Sequence, residues 1–273
     1  MDINDILKIT DDFKRNDELY KIFDEEKRLE SKAGSVEKIT TINEIDKLIS
    51  SKTKALDIGA ATGVYSIYLA EKVDEVVSYE PSSANFSKLD EKISQANIKN
   101  IKAYKKSSMD MGDLASNYFD LVLLFGPMYH LSNEKDRQFT LKQAKRVCKK
   151  GGHILIAFIN HDMIPMTETK YNPNFMSTNL FDQGKLRVKN TPFIYFTLDE
   201  CTKMLEKENL KIIERIASDG FSEILADKIN QMSEESFSTY LSWHQSHSKN
   251  ENLLSASNHF LFVCENKYNK AVR

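Results

Sequence analysis

The chain has 273 residues, and its 38 Lys and Arg against 40 Asp and Glu leave a formal charge of −2, without the basic excess of a dedicated nucleic-acid binder. Hydrophobic residues make up 41%, enough for a sizeable core; this excludes global disorder, and the length suits one or two domains. Lysines outnumber arginines 31 to 7, so bidentate phosphate recognition is not a dominant theme.

The first residues, Met1 to Leu7, carry acids where a secretory signal needs positive charge and then an apolar run. The longest apolar runs, 121–125 and 154–159, fall far short of the roughly 18 residues of a membrane span. Cys148, Cys201 and Cys264 are widely spaced with no Cys-x-x-Cys pair, which supports neither a disulfide framework nor a zinc knuckle. A soluble, cytoplasmic protein with no membrane partner is expected. The sequence carries no signal for oligomeric state.

In chain order, residues 1–32 are charged with loosely helical apolar spacing, and Val36, Ile39, Ile42, Ile45 and Ile49 make 35–50 an amphipathic helix. The period then changes. Residues 55–58 read as a short buried strand stopped by Gly59, 64–72 as a helix, 75–79 as a second strand, and Phe86, Leu89, Ile93 and Ala96 mark the next helix. A third strand is expected over 98–104. Phe119 to Phe125 is a continuous apolar run of the kind that suits a parallel strand covered on both faces. Residues 134–149 form a helix stopped by Gly151-Gly152, and 153–159 a fifth strand. Strands alternating with helices indicate parallel βαβ units and a doubly wound α/β sheet. Residues 161–197 show no clear period. A helix at 198–209, a strand at 211–216, a helical stretch at 221–250 and a closing strand at 259–264 follow.

The most informative segment is Ala55-Leu56-Asp57-Ile58-Gly59-Ala60-Ala61-Thr62-Gly63-Val64-Tyr65: strand, small-residue turn, helix start. Such a turn admits a ligand close to the backbone and points free amides at it, although a tight connection with no ligand has the same composition. A dinucleotide fingerprint needs glycine at the first, third and sixth places, which here hold Gly59, Ala61 and Val64, so two of three fail.

The pattern Asp57-x-Gly59-x-x-x-Gly63 instead resembles motif I of the class I S-adenosylmethionine-dependent methyltransferases, with Ala61 where that family commonly has a further glycine. Glu80, 17 residues after Gly63 and followed by Pro81, ends the second strand where the family's carboxylate accepts the ribose hydroxyls; a solvated surface Glu is the plain alternative. Lys106-Ser107-Ser108-Met109-Asp110 stands where the family has an acid and a small residue beside the adenine. Ser107 replaces the acid, leaving that contact to backbone groups of Ser108 and Met109. Residues 119–131 resemble motif IV and its loop, and Arg146-Val147-Cys148-Lys149-Lys150-Gly151-Gly152 resembles the turn before the fifth strand. The Gly126-Pro127-Met128-Tyr129-His130-Leu131 loop, with Arg28-Leu29, Glu37 and Asn258-His259, further resembles a bacterial subgroup of small-molecule type.

The resemblance implies a seven-stranded, mostly parallel Rossmann-like sheet with helices on both faces and a helical or irregular cap. It implies one methyltransferase domain over 1–273. Within it, 1–50 would be an N-terminal helical cap and 51–160 the cofactor-binding core; 161–197 and 221–255 would be insertions covering the substrate, and 198–220 with 256–265 the rest of the sheet. The implied cofactor is S-adenosylmethionine, giving S-adenosylhomocysteine. Its binding residues would be Asp57, Gly59, Ala60, Ala61, Gly63, Tyr65, Glu80, Pro81, Ser107, Ser108, Met109, Leu124, Phe125 and Gly126. Arg28 would reach its carboxylate if residues 1–32 fold over the site, the alternative being an ion pair with a neighbouring Glu.

Tyr129 and His130 are the candidates for orienting the acceptor, His130 also as a base, since an unperturbed imidazole has a pKa of ~6.5; a loop-capping role is the competing reading. His161 and Asp162 would line the pocket or make a surface turn. His244 and His247 lack a partner that would make them a metal site, Trp243 reads as a packing anchor, and no metal is expected. The expected activity is methyl transfer to a small-molecule acceptor by in-line displacement. A nucleic-acid methyltransferase is disfavoured, because Gly126-Pro127-Met128-Tyr129 departs at two positions from the (Asp/Asn/Ser)-Pro-Pro-(Tyr/Phe) of adenine-amino enzymes. A protein methyltransferase and a non-catalytic cofactor-binding Rossmann module are also compatible with these motifs.

Overall fold

The computed structural model describes residues 2–23, 25–189 and 192–267; the parts of the expected cap and insertion at 1, 24 and 190–191, and the end of the expected domain at 268–273, lie outside the described residues. Four helices open the chain: α1 (Ile3–Leu7), α2 (Asp12–Leu19), α3 (Glu25–Glu30) and α4 (Lys32–Asp46). Asp2, Asp11 and Ser31 start α1, α2 and α4 by accepting an otherwise orphaned backbone N–H. The alternating unit follows as β1 (Lys54–Ile58), α5 (Val64–Ala70), β2 (Glu75–Tyr79), α6 (Ser83–Gln95), β3 (Ile101–Tyr104), β4 (Phe119–Leu124), α7 (Pro127–His130), α8 (Glu134–Val147) and β5 (Cys148–Asn160). The later half comprises α9 (Ile164–Tyr171), β6 (Phe181–Asp182), β7 (Arg187–Val188), β8 (Tyr195–Phe196), α10 (Leu198–Lys207), β9 (Lys211–Ala217), α11 (Ala226–Ile229), α12 (Glu234–His247) and β10 (His259–Glu265).

The sheet runs β3-β2-β1-β4-β5-β10-β9, parallel except for β10, which lies antiparallel to both its neighbours. The expected seven strands are all present, and β8 adds a two-residue parallel ladder at the end of β5. Period-2 alternation sorts the strands between two cores. Leu56, Ile58, Val122, Leu124, Ile154, Ile156 and Phe158 pack with Leu141, Ala144 and Val147 of α8 and Cys201 and Leu205 of α10. Ala55, Val76, Leu121, Leu123 and Leu155 pack on the other face with Ile45 of α4 and Leu69 of α5. Sequential order reverses between β1 and β4, so a crevice opens where both strands end.

Three elements differ from the sequence reading. The third strand starts at Ile101, not 98, because the Asn100 side chain turns back to donate to the Ala70 and Val73 carbonyls. The Gly151-Gly152 pair does not terminate a helix: α8 ends at Val147, and the glycines lie inside β5, where a Cβ on Gly152 would stand 2.8 Å from the Asp120 carbonyl. Residues 161–197 are not irregular but fold into α9, a 3₁₀ turn and a small hairpin. Ile164, Phe175, Phe181, Val188 and Tyr195 form a core of their own there against Ile159 and Tyr129. Pro165 fits because it sits in the first turn of α9, where its missing N–H goes unused.

Candidate functional site

At the crevice the chain turns from β1 into α5 with φ of +80° at Gly59, +48° at Ala61 and +88° at Gly63. Gly59 and Ala60 N–H both donate to the Tyr79 carbonyl, at 2.8 and 3.1 Å, folding the turn onto β2. Ala61 N–H donates to Glu80 Oε2 at 2.7 Å and Ser82 N–H to Oε1 at 2.8 Å. Each carboxylate oxygen thus spends one lone pair on the backbone and keeps accepting capacity for a ligand. Burial pushes Glu80 up to about 7, against the pull of those two amides. Gly63 also makes room: a Cβ there would stand 2.4 Å from Leu89 Cδ1.

Above the turn lies a cavity of about 530 Å³. The β1–α5 turn, Glu80 to Ser82 and Ser108 line one part of it, and the loop from Phe125 to Leu131 another. Residues of α2, α3 and α4 cover one side, and α9 with the hairpin segment another. The N-terminal helices are tied down by polar contacts. Asp17 Oδ1 accepts Ser83 N–H at 2.6 Å, Glu26 pairs with Lys92 at 2.5 Å, and Asp12 Oδ2 accepts Ser132 N–H at 2.7 Å. Asn16 Oδ1, Asn85 Nδ2 and His130 Nδ1, all on residues that line this cavity, are buried without a hydrogen-bond partner. Unpaired buried polar atoms are costly, so three on residues that line one cavity suit a surface finished by a polar ligand.

His130 is 8% exposed, with Nε2 at 2.7 Å from the Tyr20 hydroxyl. Burial, and then the Arg15 charge, push its pKa down to about 3. A ring held that low is neutral near pH 7 and its Nε2 is engaged by Tyr20, which favours a hydrogen-bonding role over the base role expected from sequence. Tyr129 donates its hydroxyl to the Phe125 carbonyl, and Ile194 N–H donates to the Tyr129 carbonyl at 2.9 Å. Tyr129 therefore holds the shape of the loop and pins the 161–197 segment to it.

A charged wall closes the far side. Arg28 donates to Glu37 at 2.7 Å, and His259 Nδ1 stands 3.6 Å from Glu37 and 2.7 Å from Asp219. Burial opposes the His259 charge, but Glu37 and Asp219 overcome it and raise the ring to about 9. Burial likewise opposes the Asp219 charge, and the adjoining imidazolium holds that carboxyl below its usual range. The Glu37, Asp219 and His259 donor atoms lie within 4.8 Å of one another, close enough for a metal, but Arg28 and the protonated ring already balance the two acids.

Residues 55–152 match the protein family described as "Methyltransferase domain". The match spans the stretch from β1 into β5, less than half of the chain. Among curated proteins no sequence matches the chain significantly. Among solved structures, this methyltransferase fold is similar to geranyl diphosphate C-methyltransferase from Streptomyces coelicolor A3(2), with a TM-score of 0.57 at 9% identity over 84% of this chain and 79% of that one. It is similar to the [4+2]-cyclase SpnF at 0.57 and 12%, covering 85% and 81%. A SAM-dependent methyltransferase from Leishmania major follows at 0.54 and 11%, covering 85% and 72%.

The cavity gathers most of the residues singled out from sequence: Gly59, Ala60, Ala61, Tyr65, Glu80, Pro81, Ser108, Phe125, Gly126, Tyr129, His130 and Arg28. Five lie off its wall. Asp57, 1% exposed, accepts the Ser66 hydroxyl at 2.6 Å, which is itself 2.8 Å from Ser78, and so ties α5 to β1 and β2. Gly63 faces Leu89, Leu124 sits in the core, and Ser107 caps the 3₁₀ turn that begins at Ser108 by accepting Met109 N–H, which removes Ser107 and Met109 from the wall. His161 braces β7 by accepting Val188 N–H at 3.1 Å, and His244 is buried against Thr40 and Ser218. Trp243 is no packing anchor: it is 42% exposed and stacks on His247. Sequence reasoning missed Asn16, Tyr20, Asn85 and the Asp219 side of the charged wall. Asn85, two residues into α6 after the Glu80-Pro81 strand end, had a positional signal; Asn16 and Tyr20 had none.

Proposed function

We propose that this methyltransferase moves the methyl group of S-adenosylmethionine to a small-molecule acceptor enclosed beneath residues 1–50, 161–197 and 221–255. The observation that carries the reading is Glu80, a buried carboxylate with one backbone N–H on each oxygen and accepting capacity left for two ribose hydroxyls. The unpaired Asn16 and Asn85 atoms on the same cavity fit a ligand rich in polar groups. When bound, the sulfonium supplies a methyl group already activated for displacement. The chain's own residues supply the rest. Glu80 and the amides of the β1–α5 turn hold the nucleoside end, and the Phe125–Gly126 backbone meets the amino-acid end. Tyr129 fixes the loop, and His130 is a neutral hydrogen-bonding group that orients the acceptor. Arg28 answers to Glu37, so its role is to build the wall rather than to bind the cofactor carboxylate.

The volume of the cavity supports an acceptor of small-molecule size, and two relatives in fold are named for their small substrate or cyclisation chemistry. Cys148, Cys201 and Cys264 are all free and buried, in keeping with a cytoplasmic location. No helix among the described residues is long and apolar enough to cross a membrane. Calorimetric titration with S-adenosylhomocysteine, with NADH as control, tests the cofactor. Saturable binding of the sulfur ligand alone is expected, and a preference for NADH would defeat the reading. Transfer of label from methyl-labelled S-adenosylmethionine to an acceptor then separates an enzyme from a binding module.

A further inference from the structure

Two carboxylates on the cavity wall have no place in that scheme. Glu168 belongs to α9, and Glu223 follows the 3₁₀ turn Gly220–Ser222; both line the cavity and both are half-buried. Among the described residues neither side chain accepts a hydrogen bond or forms an ion pair, although Glu223 feels the Arg28 and His259 charges at longer range. They stand close enough to repel: burial raises Glu168 and the Glu223 charge adds to it, while burial and then Asp219 raise Glu223. The nearby cations are committed elsewhere. Arg28 belongs to Glu37 and His259 to Asp219. Lys170 pairs with Asp227 at 3.4 Å and reaches only the main-chain carbonyl of Glu223. Lys189 is exposed and also lines the cavity, but a single lysine does not balance two acids.

A second observation on the same cavity points to a ligand. His130, 8% exposed, is neutral and leaves Nδ1 without a partner, so the wall offers an orphaned polar atom but no counter-charge. Since Arg28 and His259 cancel Glu37 and Asp219, Glu168 and Glu223 leave this part of the cavity net negative. An anionic ligand would be repelled there, and a neutral one would leave two acids half-desolvated without compensation.

We propose that the acceptor carries a cationic amine, seated against Glu168 and Glu223, with its apolar body on the rings of Tyr129, Phe175 and Tyr195. The assignment deepens the methyl-transfer reading by giving the substrate its chemical class, while the binding it describes is measurable without turnover. Rings that line the same cavity, with Tyr195 near enough to feel the Glu168 charge, suit a cation twice over, through the carboxylates and through the ring faces.

The test is calorimetry with phenethylamine against its isosteres 2-phenylethanol and phenylacetate, with and without saturating S-adenosylhomocysteine, on the wild type, Glu168→Gln, Glu223→Gln and the double variant. The amine is expected to bind at least roughly tenfold tighter than the alcohol, with phenylacetate weakest. The double variant is expected to abolish that preference and leave S-adenosylhomocysteine affinity unchanged. An alcohol or carboxylate that binds as tightly as the amine overturns the proposal, as does a double variant that keeps the preference or loses S-adenosylhomocysteine as well. If the amine preference appears and depends on the two acids while S-adenosylhomocysteine never binds, the amine site stands and the methyl-transfer reading falls.

Discussion

Replacing Glu80 by Gln isolates the carboxylate on which the proposed cofactor site turns. The side chain keeps its length, but one accepting oxygen becomes an NH₂ group. That group must face either the Ala61 or the Ser82 N–H, now 2.7 and 2.8 Å away, or a ligand hydroxyl. At least one charge-assisted hydrogen bond to the ligand is lost, about 1.5–3 kcal/mol, which corresponds to roughly 10- to 150-fold in affinity. The pH dependence gives a second, sharper signature. Burial raises Glu80 to about 7, so in the free protein the proton is on the acid below that pH and the two-fold acceptor is absent. Wild-type affinity for S-adenosylhomocysteine therefore falls as pH drops through 7, roughly tenfold per unit, until it meets the variant, whose amide does not titrate. Calorimetry from pH 5.5 to 8.5 on both proteins reads the two curves. A wild type that binds equally well at pH 5.5 and 8, or a variant indistinguishable from it at pH 8, refutes the role given to Glu80.

His130, held near 3, is expected to show no titration between pH 5 and 8 in ¹³C-detected imidazole spectra, and a ring that titrates near 6.5 would restore it as a base. His259 has the opposite sign. Its folded value of about 9 exceeds the unfolded 6.5, so the pairing with Glu37 and Asp219 stabilises fully below 6.5 and fades as pH rises towards 9. The difference of 2.5 units is worth about 3 kcal/mol, so His259→Gln is expected to lower Tm markedly at pH 6 and much less at pH 9.5; equal losses at both pH values would contradict the pairing. Gly63→Ala combines a left-handed backbone with a Cβ 2.4 Å from Leu89 Cδ1, a cost of about 2 kcal/mol or more and a fall in Tm of roughly 4–8 °C by thermal unfolding.

The sheet was legible because its signals are local. Runs such as Leu121 to Leu124 and Ile154 to Ile159 need neighbours on both faces, and the change of period at residue 55 marks where helices give way to strands. Gly59, Ala61 and Gly63 were legible for the same reason, since a turn with φ above zero limits composition. The side walls of the cavity were not. Asn16 and Tyr20 belong to a segment whose pattern is that of any charged amphipathic helix, and only tertiary folding brings it to the cavity, where Asp17 meets Ser83 and Tyr20 meets His130. Likewise, the neutrality of His130 comes from burial beneath Tyr20 and Arg15, which no spacing records. Residues 161–197 misled because short elements that pack on one another, as Phe175 does on Phe181, leave no long period to read.

The placement of β10 between β5 and β9 sets an order of events on the growing chain. Among the described residues β9 pairs with β10 and with no other strand of the sheet, so the sheet cannot close until residues 259–265 have been made. Until then β5 presents an open, apolar edge, a template for pairing with other chains. The last strand also seals the core with Phe260, Phe262 and Cys264, and Asn266 just beyond it clasps the carbonyls of Lys145 and Cys148 where α8 meets β5. Its first residue is His259, the ring on the cavity wall. Without residues 259–265 the fold would thus lack the ring that balances Glu37 and Asp219 as well as the strand that shields β5. The cavity wall and the closing of the sheet depend on the same strand.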